Sequence, residues 1–235
     1  MSVAIKKFTP PVLWNALRKV KFGKYHSLNG IDRKVEKYLR HRNGFYVELG
    51  ANDGTTYSNT LYFEKNKDWR GVLIEPIPHN YLNCLDNRSE NNLIFCGACV
   101  SFEYKERFVE IAYSNMMSSA IGLESDVVAP KAHAELGQQF ISGSNKVFTF
   151  GAIAITLTEL LLRSRAPKYI DFLSLDVEGA EIEVLKGVDH SEFRFKYMCI
   201  ECRDITKLIN YLNPLGYDLI EKLSGSDYLF KAQID

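Results

Sequence analysis

Four apolar runs in this sequence stop at carboxylates: Glu48 beside Gly50 and Gly54, Glu75 before Pro76, Asp176 with Glu178, and Glu201. Carboxylates can accept hydrogen bonds from hydroxyls, take up a proton, or hold a hard cation. Any one of them alone reads as a solvated loop acid. Four at the ends of apolar runs are not explained that way, because ligands of open α/β sheets sit beyond the carboxyl ends of the strands.

The first of these stretches, Phe45-Tyr46-Val47-Glu48-Leu49-Gly50-Ala51-Asn52-Asp53-Gly54, narrows the chemistry. Its glycines allow a tight turn close to a ligand. The spacing is not G-x-G-x-x-G, and no Lys-Ser/Thr pair follows to make a phosphate loop. An acid before the glycines suits a ligand with a positive group, such as the sulfonium and ammonium of S-adenosylmethionine. On its own the loop leaves methyl donor and nucleotide open. Glu75, ending the next strand Gly71–Glu75, is placed to take ribose hydroxyls.

The elements that position these acids follow from periodicity. Strands are expected at Phe45–Leu49, Gly71–Glu75, Leu93–Cys96, Tyr169–Leu175, Tyr197–Ile200, Tyr217–Glu221 and Tyr228–Ala232. Helices are expected at Ile31–Arg42, through about Asn66, and at His79–Arg88, Leu157–Arg163, Ala180–Lys186 and Ile205–Leu212. Strand–helix alternation predicts a parallel sheet covered on both faces. The turn at Ser224-Gly225-Ser226 is too short for a crossover, so the last two strands are antiparallel. The predicted fold is thus α/β and Rossmann-like, with a mostly parallel seven-stranded sheet and an antiparallel C-terminal hairpin strand. Phe108–Tyr113 and Lys146–Phe150 are expected as strands outside the main pattern. Residues 114–145 are irregular and suit a substrate lid, with Asn115–Ser119, Tyr113 and Phe140 available to an acceptor.

The glycine stretch, Gly71-Val72-Leu73-Ile74-Glu75-Pro76, and above all Ile170-Asp171-Phe172-Leu173-Ser174-Leu175-Asp176-Val177-Glu178-Gly179-Ala180-Glu181 resemble the FkbM family of S-adenosylmethionine-dependent O-methyltransferases. The resemblance runs from about Phe45 to Glu201. It implies a class I methyltransferase domain over 43–235, with residues 1–42 as a helical arm of the same domain. It also implies methyl transfer to a hydroxyl, often on a sugar of a glycan or glycolipid. Carried over, Glu48, Gly50, Asn52 and Gly54 would hold the methionine end and Glu75 with Pro76 the ribose. Gly97 and Ala98 would present backbone to the adenine, and Asp176 would stand between cofactor and acceptor.

A sugar hydroxyl needs a base or a metal to lose its proton. Asp176 and Glu201 end neighbouring strands, and oxygen ligands suit Mg²⁺ or Mn²⁺. Cys202 stands where related metal-dependent enzymes carry another oxygen ligand, with Asp204 two positions on. Glu178 either completes the donor set or acts as the base. Without a metal, Asp176 would cap the next helix and Glu201 would bind a basic side chain. His79 and His133 are weaker base candidates whose default is a solvated loop.

Composition sets the remaining bounds. The 235 residues carry zero formal net charge, which gives no support for a nucleic-acid partner. No apolar run reaches the roughly 20 residues of a membrane span, and five cysteines do not make a disulfide framework. Cys96-x-x-Cys99 and Cys199-x-x-Cys202 read as buried thiols, not zinc ligands. A cytoplasmic protein is expected. Before Asp32 there is no acid, yet Lys6, Lys7, Arg18, Lys19, Lys21 and Lys24 are present. Val12, Leu13, Ala16, Leu17 and Val20 are spaced for one helical face, so residues 1–24 either touch a membrane surface peripherally or pack on the domain with their lysines in water.

Overall fold

A computed structural model describes residues 24–141 and 147–233. The expected N-terminal helix, Trp14 and the basic residues before Lys24 lie outside that range. The chain begins with α1 (Ile31–Val35), β1 (Phe45–Leu49), α2 (Leu61–Lys67), β2 (Arg70–Glu75), α3 (Pro78–Asn87) and β3 (Leu93–Cys96). An excursion follows: β4 (Ala98–Cys99), β5 (Phe108–Tyr113), β6 (Ser119–Ile121), α4 (Pro130–Leu136), β7 (Phe148–Ile155) and α5 (Leu157–Arg163). The chain then returns through β8 (Tyr169–Leu175), α6 (Glu181–Leu185), β9 (Arg194–Glu201), α7 (Ile205–Leu212), β10 (Tyr217–Lys222) and β11 (Asp227–Ala232).

Seven strands form the main sheet in the order β10-β11-β9-β8-β1-β2-β3. β3, β2, β1, β8 and β9 run parallel, and β11 is antiparallel to both β9 and β10. That is the doubly wound sheet with a C-terminal hairpin expected from the sequence. The chain reverses between β1 and β8, so the Glu48 and Asp176 loops leave side by side from adjacent strands.

Why these strands sit centrally is visible in their composition. All five residues of β1 are buried, and so are all of β8 after Tyr169. A strand covered on both faces must be apolar throughout, not alternating. Val47, Leu49, Val72, Ile74, Leu173 and Leu175 pack with Leu157, Leu160, Leu161, Val184, Leu185, Leu208 and Leu212 of α5, α6 and α7. Tyr46, Leu73 and Phe172 face the other way onto Ile31, Val35, Leu39, Tyr62 and Phe63. Two helices start with side-chain caps, Thr156 accepting from Glu159 N–H and Asp204 accepting from Lys207 N–H at 3.2 and 3.1 Å. Such a cap is worth about 1 kcal/mol. Asp204 is therefore spent on α7 and is not a neighbour of the acids at the strand ends.

The excursion departs from expectation. β4, β7, β5 and β6 make a separate four-stranded sheet, in that order, rather than isolated strands. β7 is eight residues long and begins at Phe148, where the sequence pattern placed a short strand over Lys146–Phe150. The helix expected over Ile31–Arg42 ends at Val35. The five thiols are all free, four of them buried and Cys96 half-buried. Among the described residues no helix is long and apolar enough to cross a membrane.

Candidate functional site

The loop after β1 is long: ten residues separate Gly50 from α2, so no helix N-terminus faces the ligand there. Its shape comes from a buried charge cluster beneath it. Glu48 Oε1 accepts from Ser58 Oγ and Asn59 N–H at 2.9 and 3.0 Å, and Oε2 accepts from Thr60 Oγ1 at 2.6 Å. Arg88, fully buried one residue beyond α3, donates to Glu48 at 3.0 Å and to Glu64 at 2.7 Å. The same guanidinium reaches Tyr46 Oη, Thr60 Oγ1 and the Gly54 carbonyl. Burial works to raise the Glu64 pKa, but the Arg88 charge and the hydrogen bonds from Arg88, Tyr46 and Ser89 together outweigh it and hold the carboxyl below its usual range. Glu48, expected at the methionine end of a ligand, therefore lines the cavity with both oxygens already engaged.

The end of α3 grips the loop above this cluster. Cys84 Sγ donates to the Asn52 carbonyl at 2.9 Å, Asn87 Nδ2 to Asp53 at 2.8 Å and Arg88 Nη1 to Gly54 at 3.2 Å. Three consecutive carbonyls are thus tied to one helix end. Gly54 serves this grip and is not part of the cavity wall. Gly50 has φ +77°, and a Cβ there would stand 1.9 Å from the Asp176 carbonyl oxygen. Only glycine fits between the two loops.

Glu75 ends β2 beside that loop, accepting from Asn52 N–H at 2.7 Å and Ile77 N–H at 2.9 Å. It is 3 % exposed, and burial pushes its carboxyl up to about 7 against those hydrogen bonds. Among the described residues no cation answers it, in contrast to Glu48. Pro76, Gly97 and Ala98 continue the wall. A Cβ on Gly97 would come 2.9 Å from the Ile153 carbonyl, so the second sheet packs directly behind this part of the wall.

The third group stands after β8 and β9. Asp176, Glu178 and Glu201 each offer an oxygen within 4.8 Å of the others. Asp176 is reached by solvent through the cavity yet is enclosed by protein. Desolvation first, then the charges of Glu201, Glu178 and Glu181, push its pKa well up. Glu178 has φ +56°, a left-handed backbone that a side chain occupies at a cost of about 1–3 kcal/mol. Its Oε2 meets His133 Nε2 and Arg203 Nη2, each at 2.9 Å. Burial and Glu201 still raise its pKa against those two partners. Glu201 Oε1 accepts from Ser226 Oγ at 3.1 Å, and its Oε2 is buried with no donor among the described residues. Glu181 folds back to accept from Val177 and Gly179 N–H, and burial brings its carboxyl to about 7.

These three groups share one cavity of about 450 Å³, inside the roughly 300–1,000 Å³ range of ligand pockets. Glu48, Gly50, Asn52, Glu75, Pro76, Gly97, Ala98, Asp176, Glu178 and Glu201 all line it. Sequence reasoning missed other wall residues. His133 on α4, whose Nε2 meets Glu178 and which is only 15 % exposed, is not the solvated loop histidine expected. Arg203, Asp227, Asn59 and the Leu28–Ile31 segment also line the cavity. His79 stands against Tyr113, and neither lines the cavity. Of the expected acceptor stretch, Asn115, Met116, Met117 and Ser118 reach the wall, whereas Ser119 and Tyr113 do not; the Phe140 side chain lies outside the described part.

The donor set after β8 and β9 is oxygen only, and the unanswered Glu201 Oε2 leaves room for a positive partner. It fits a hard divalent cation. Cys202 is buried and Asp204 caps α7, so neither adds a ligand.

The sheet order, the hairpin strand and the cavity at the strand ends define a class I S-adenosylmethionine-dependent methyltransferase. The Methyltransferase FkbM domain matches residues 48–224, and the chain belongs to that family. No curated protein matches it. Among solved structures it is similar to the METTL16 methyltransferase domain, with 10 % identity, 88 % of this chain and 67 % of the other covered, and a TM-score of 0.48. The human methyltransferase 10 domain containing protein gives 10 % identity, 94 % and 93 % coverage, and a TM-score of 0.48. The N-terminal domain of human METTL16 in complex with SAH gives 10 %, 86 % and 68 %, and 0.41.

Proposed function

We propose that this methyltransferase acts on a hydroxyl of a carbohydrate acceptor, in a glycan or glycolipid. The observation that carries the reading is the trio Asp176, Glu178 and Glu201, held with excess negative charge on the wall that also carries Glu75 and the glycine loop. S-adenosylmethionine, when bound, supplies an electrophilic methyl group on a sulfonium. Glu75 accepts hydrogen bonds from the ribose hydroxyls, and the backbone of Gly97 and Ala98 faces the adenine. Gly50 and Asn52 shape the methionine end. Ordering donor and acceptor in line lowers the barrier by at most about 7–11 kcal/mol.

Deprotonating a sugar hydroxyl then falls to the acids. Asp176, whose neighbours favour its taking up a proton, is placed to receive it, and such a base contributes roughly 10²–10⁴-fold. Mg²⁺ or Mn²⁺ held by Asp176 and Glu201, with Glu178, would instead acidify the acceptor oxygen. Glu178 is already engaged with His133 and Arg203, so Asp176 and Glu201 are the stronger pair of ligands. A purely binding role for the domain gains nothing from clustered acids at this cost.

Incubating the protein with isotopically labelled S-adenosylmethionine and a glycan panel, followed by mass spectrometry, tests the reading. Label on a sugar oxygen supports it; label only on nitrogen or carbon, or calorimetric binding of NAD but not the methyl donor, ends it. Full turnover after exhaustive chelation removes the metal.

A further inference from the structure

The left-handed backbone of Glu178, φ +56°, is one that persists only where the surroundings over-determine it. Its supports come from two other parts of the chain. His133 Nε2, on α4, and Arg203 Nη2, after β9, both meet Glu178 Oε2 at 2.9 Å. Arg203 is itself held by Asp126, whose Oδ2 accepts from the Arg203 amide at 2.7 Å and whose Oδ1 meets Nη1 at 3.2 Å. The Asp126 N–H in turn donates to the Gly179 carbonyl at 3.0 Å. These contacts close a ring that runs from Glu178 through Arg203 and Asp126 back to Gly179. Gly179 has φ +111°, and a Cβ there would stand within 2.9 Å of side-chain atoms of Ser125, Asp126 and Val127, so that segment lies directly on it.

Asp126 and His133 belong to one stretch, residues 123–136, bounded by Gly122 and Gly137. It is fastened mainly by polar ties. Glu124 pairs with Lys186 and, at 2.6 Å, with Lys207, in addition to the Asp126 and His133 contacts. Val127 and Ala134 are its buried apolar residues, whereas Val128 and Leu136 are 99 % and 69 % exposed. Its two ends differ. Gly122 has φ +78° and open space where a Cβ would stand, while a Cβ on Gly137 would come 2.5 Å from Ser114 Oγ. A stretch with so little apolar burial belongs to the part of a fold that opens locally. Leu123 and His133 also line the cavity, so the same stretch meets a molecule that enters there.

We infer that residues 123–136 are a strap whose closure positions Glu178, with His133 acting on it directly and Asp126 acting through Arg203. The trio Asp176, Glu178 and Glu201 is then complete only while the strap is down, and His133 and Arg203 are positioning residues. With the strap lifted, Glu178 loses one of its two donors, and Arg203 loses the carboxylate that aims it. The left-handed backbone is left without the contacts that hold it. A displacement of about 1 Å at a reacting group can cost roughly 100-fold in rate, so a small movement of the strap is enough to disable the trio. That Glu178 serves methyl transfer rests on the proposed function; the coupling of strap and acid loop does not.

Hydrogen–deuterium exchange of the full-length protein, with no acceptor present, tests the coupling. His133→Leu keeps the bulk and removes the donor, whereas His133→Gln keeps an N–H at similar reach. The leucine variant should raise exchange roughly five-fold, the scale of one hydrogen bond, in 123–136 and in 176–179 alike, and leave 50–60 unchanged. The glutamine variant should exchange like the wild type. Asp126→Ala should open the same two segments together with the Arg203 amide. Faster exchange in the strap alone, glutamine no better than leucine, or no change in the leucine variant overturns the inference. Turnover gives a second readout, using a glycan that takes label from S-adenosylmethionine. His133→Leu should lower kcat roughly 10–100-fold at an unchanged calorimetric Kd for the donor, and His133→Gln should restore it. In a Glu178→Ala background His133→Leu should cost nothing further; a loss that persists there makes His133 act on its own and also overturns the inference. A panel in which no glycan takes label ends the carbohydrate reading and leaves the exchange result to decide this one.

Discussion

Two groups of acids, one joining Glu48 at the end of β1 to Glu64 of α2 and one after β8 and β9, are treated by the protein in opposite ways. Glu48 and Glu64 share one buried guanidinium and a full set of hydroxyl and amide donors. Asp176, Glu178 and Glu201 crowd within 4.8 Å, with one oxygen lacking any donor among the described residues and one residue on a left-handed backbone. The first group is arranged to hold a loop still. The second keeps an electrostatic strain that a proton, a cation or a polarised hydroxyl would relieve. Paired burial holds the loop at Glu48, whereas Asp176 and Glu201, which no cation pairs among the described residues, are where the proposed chemistry would fall.

The comparison breaks most sharply at Asp176. Asp176→Ala should lower turnover roughly 10²–10⁴-fold while donor affinity changes little; a calorimetric Kd that collapses together with kcat would make Asp176 a binding residue only. Next comes stability, where the groups should differ in sign. Arg88→Met strands two buried carboxylates and should cost about 3–5 kcal/mol in urea unfolding. Asp176→Asn removes a charge its surroundings disfavour and should stabilise by about 0.5–2 kcal/mol. Destabilisation by both would erase the distinction.

Glu75 gives a smaller and pH-dependent effect. Its carboxyl is raised to about 7, and ribose hydroxyls are best accepted by the ionised form. Donor affinity should therefore rise with pH up to about 7 and level off above it, falling about tenfold per unit below. Glu75→Gln should bind more weakly above pH 7 and show no such slope. Titrations at several pH values check this, and a flat wild-type profile would sink it. Smallest is Asn87→Ala, which frees one loop carbonyl: KM for the donor should rise a few-fold at constant kcat, on the scale of about 1 kcal/mol for one hydrogen bond.

The main sheet was legible because its central strands are apolar throughout and stop at acids. Leu157–Arg163 and Ile205–Leu212 fall where periodicity puts them, each with a capping residue in front. The second sheet was not legible. β4 pairs with β7 more than fifty residues away, and β7 alternates exposure without a clean apolar face. Arg88 gave no sign either, since a single arginine at a helix end says nothing of carboxylates 24 and 40 residues earlier. His133 was hidden in a stretch without pattern, and its partner Glu178 is brought to it only by folding.

The missing space at Gly50 has a mechanical consequence. With the Asp176 carbonyl where a Cβ would stand, the donor loop and the acid loop interlock as a single rigid part. The segment after β6 together with α4, by contrast, is tied to the strand-end loops through His133 with Glu178 and through Asp126 with Arg203. On the proposed function, acceptor preference would thus be retuned by changing the segment between β3 and β8, while the alignment of methyl donor and acid would be inherited unchanged.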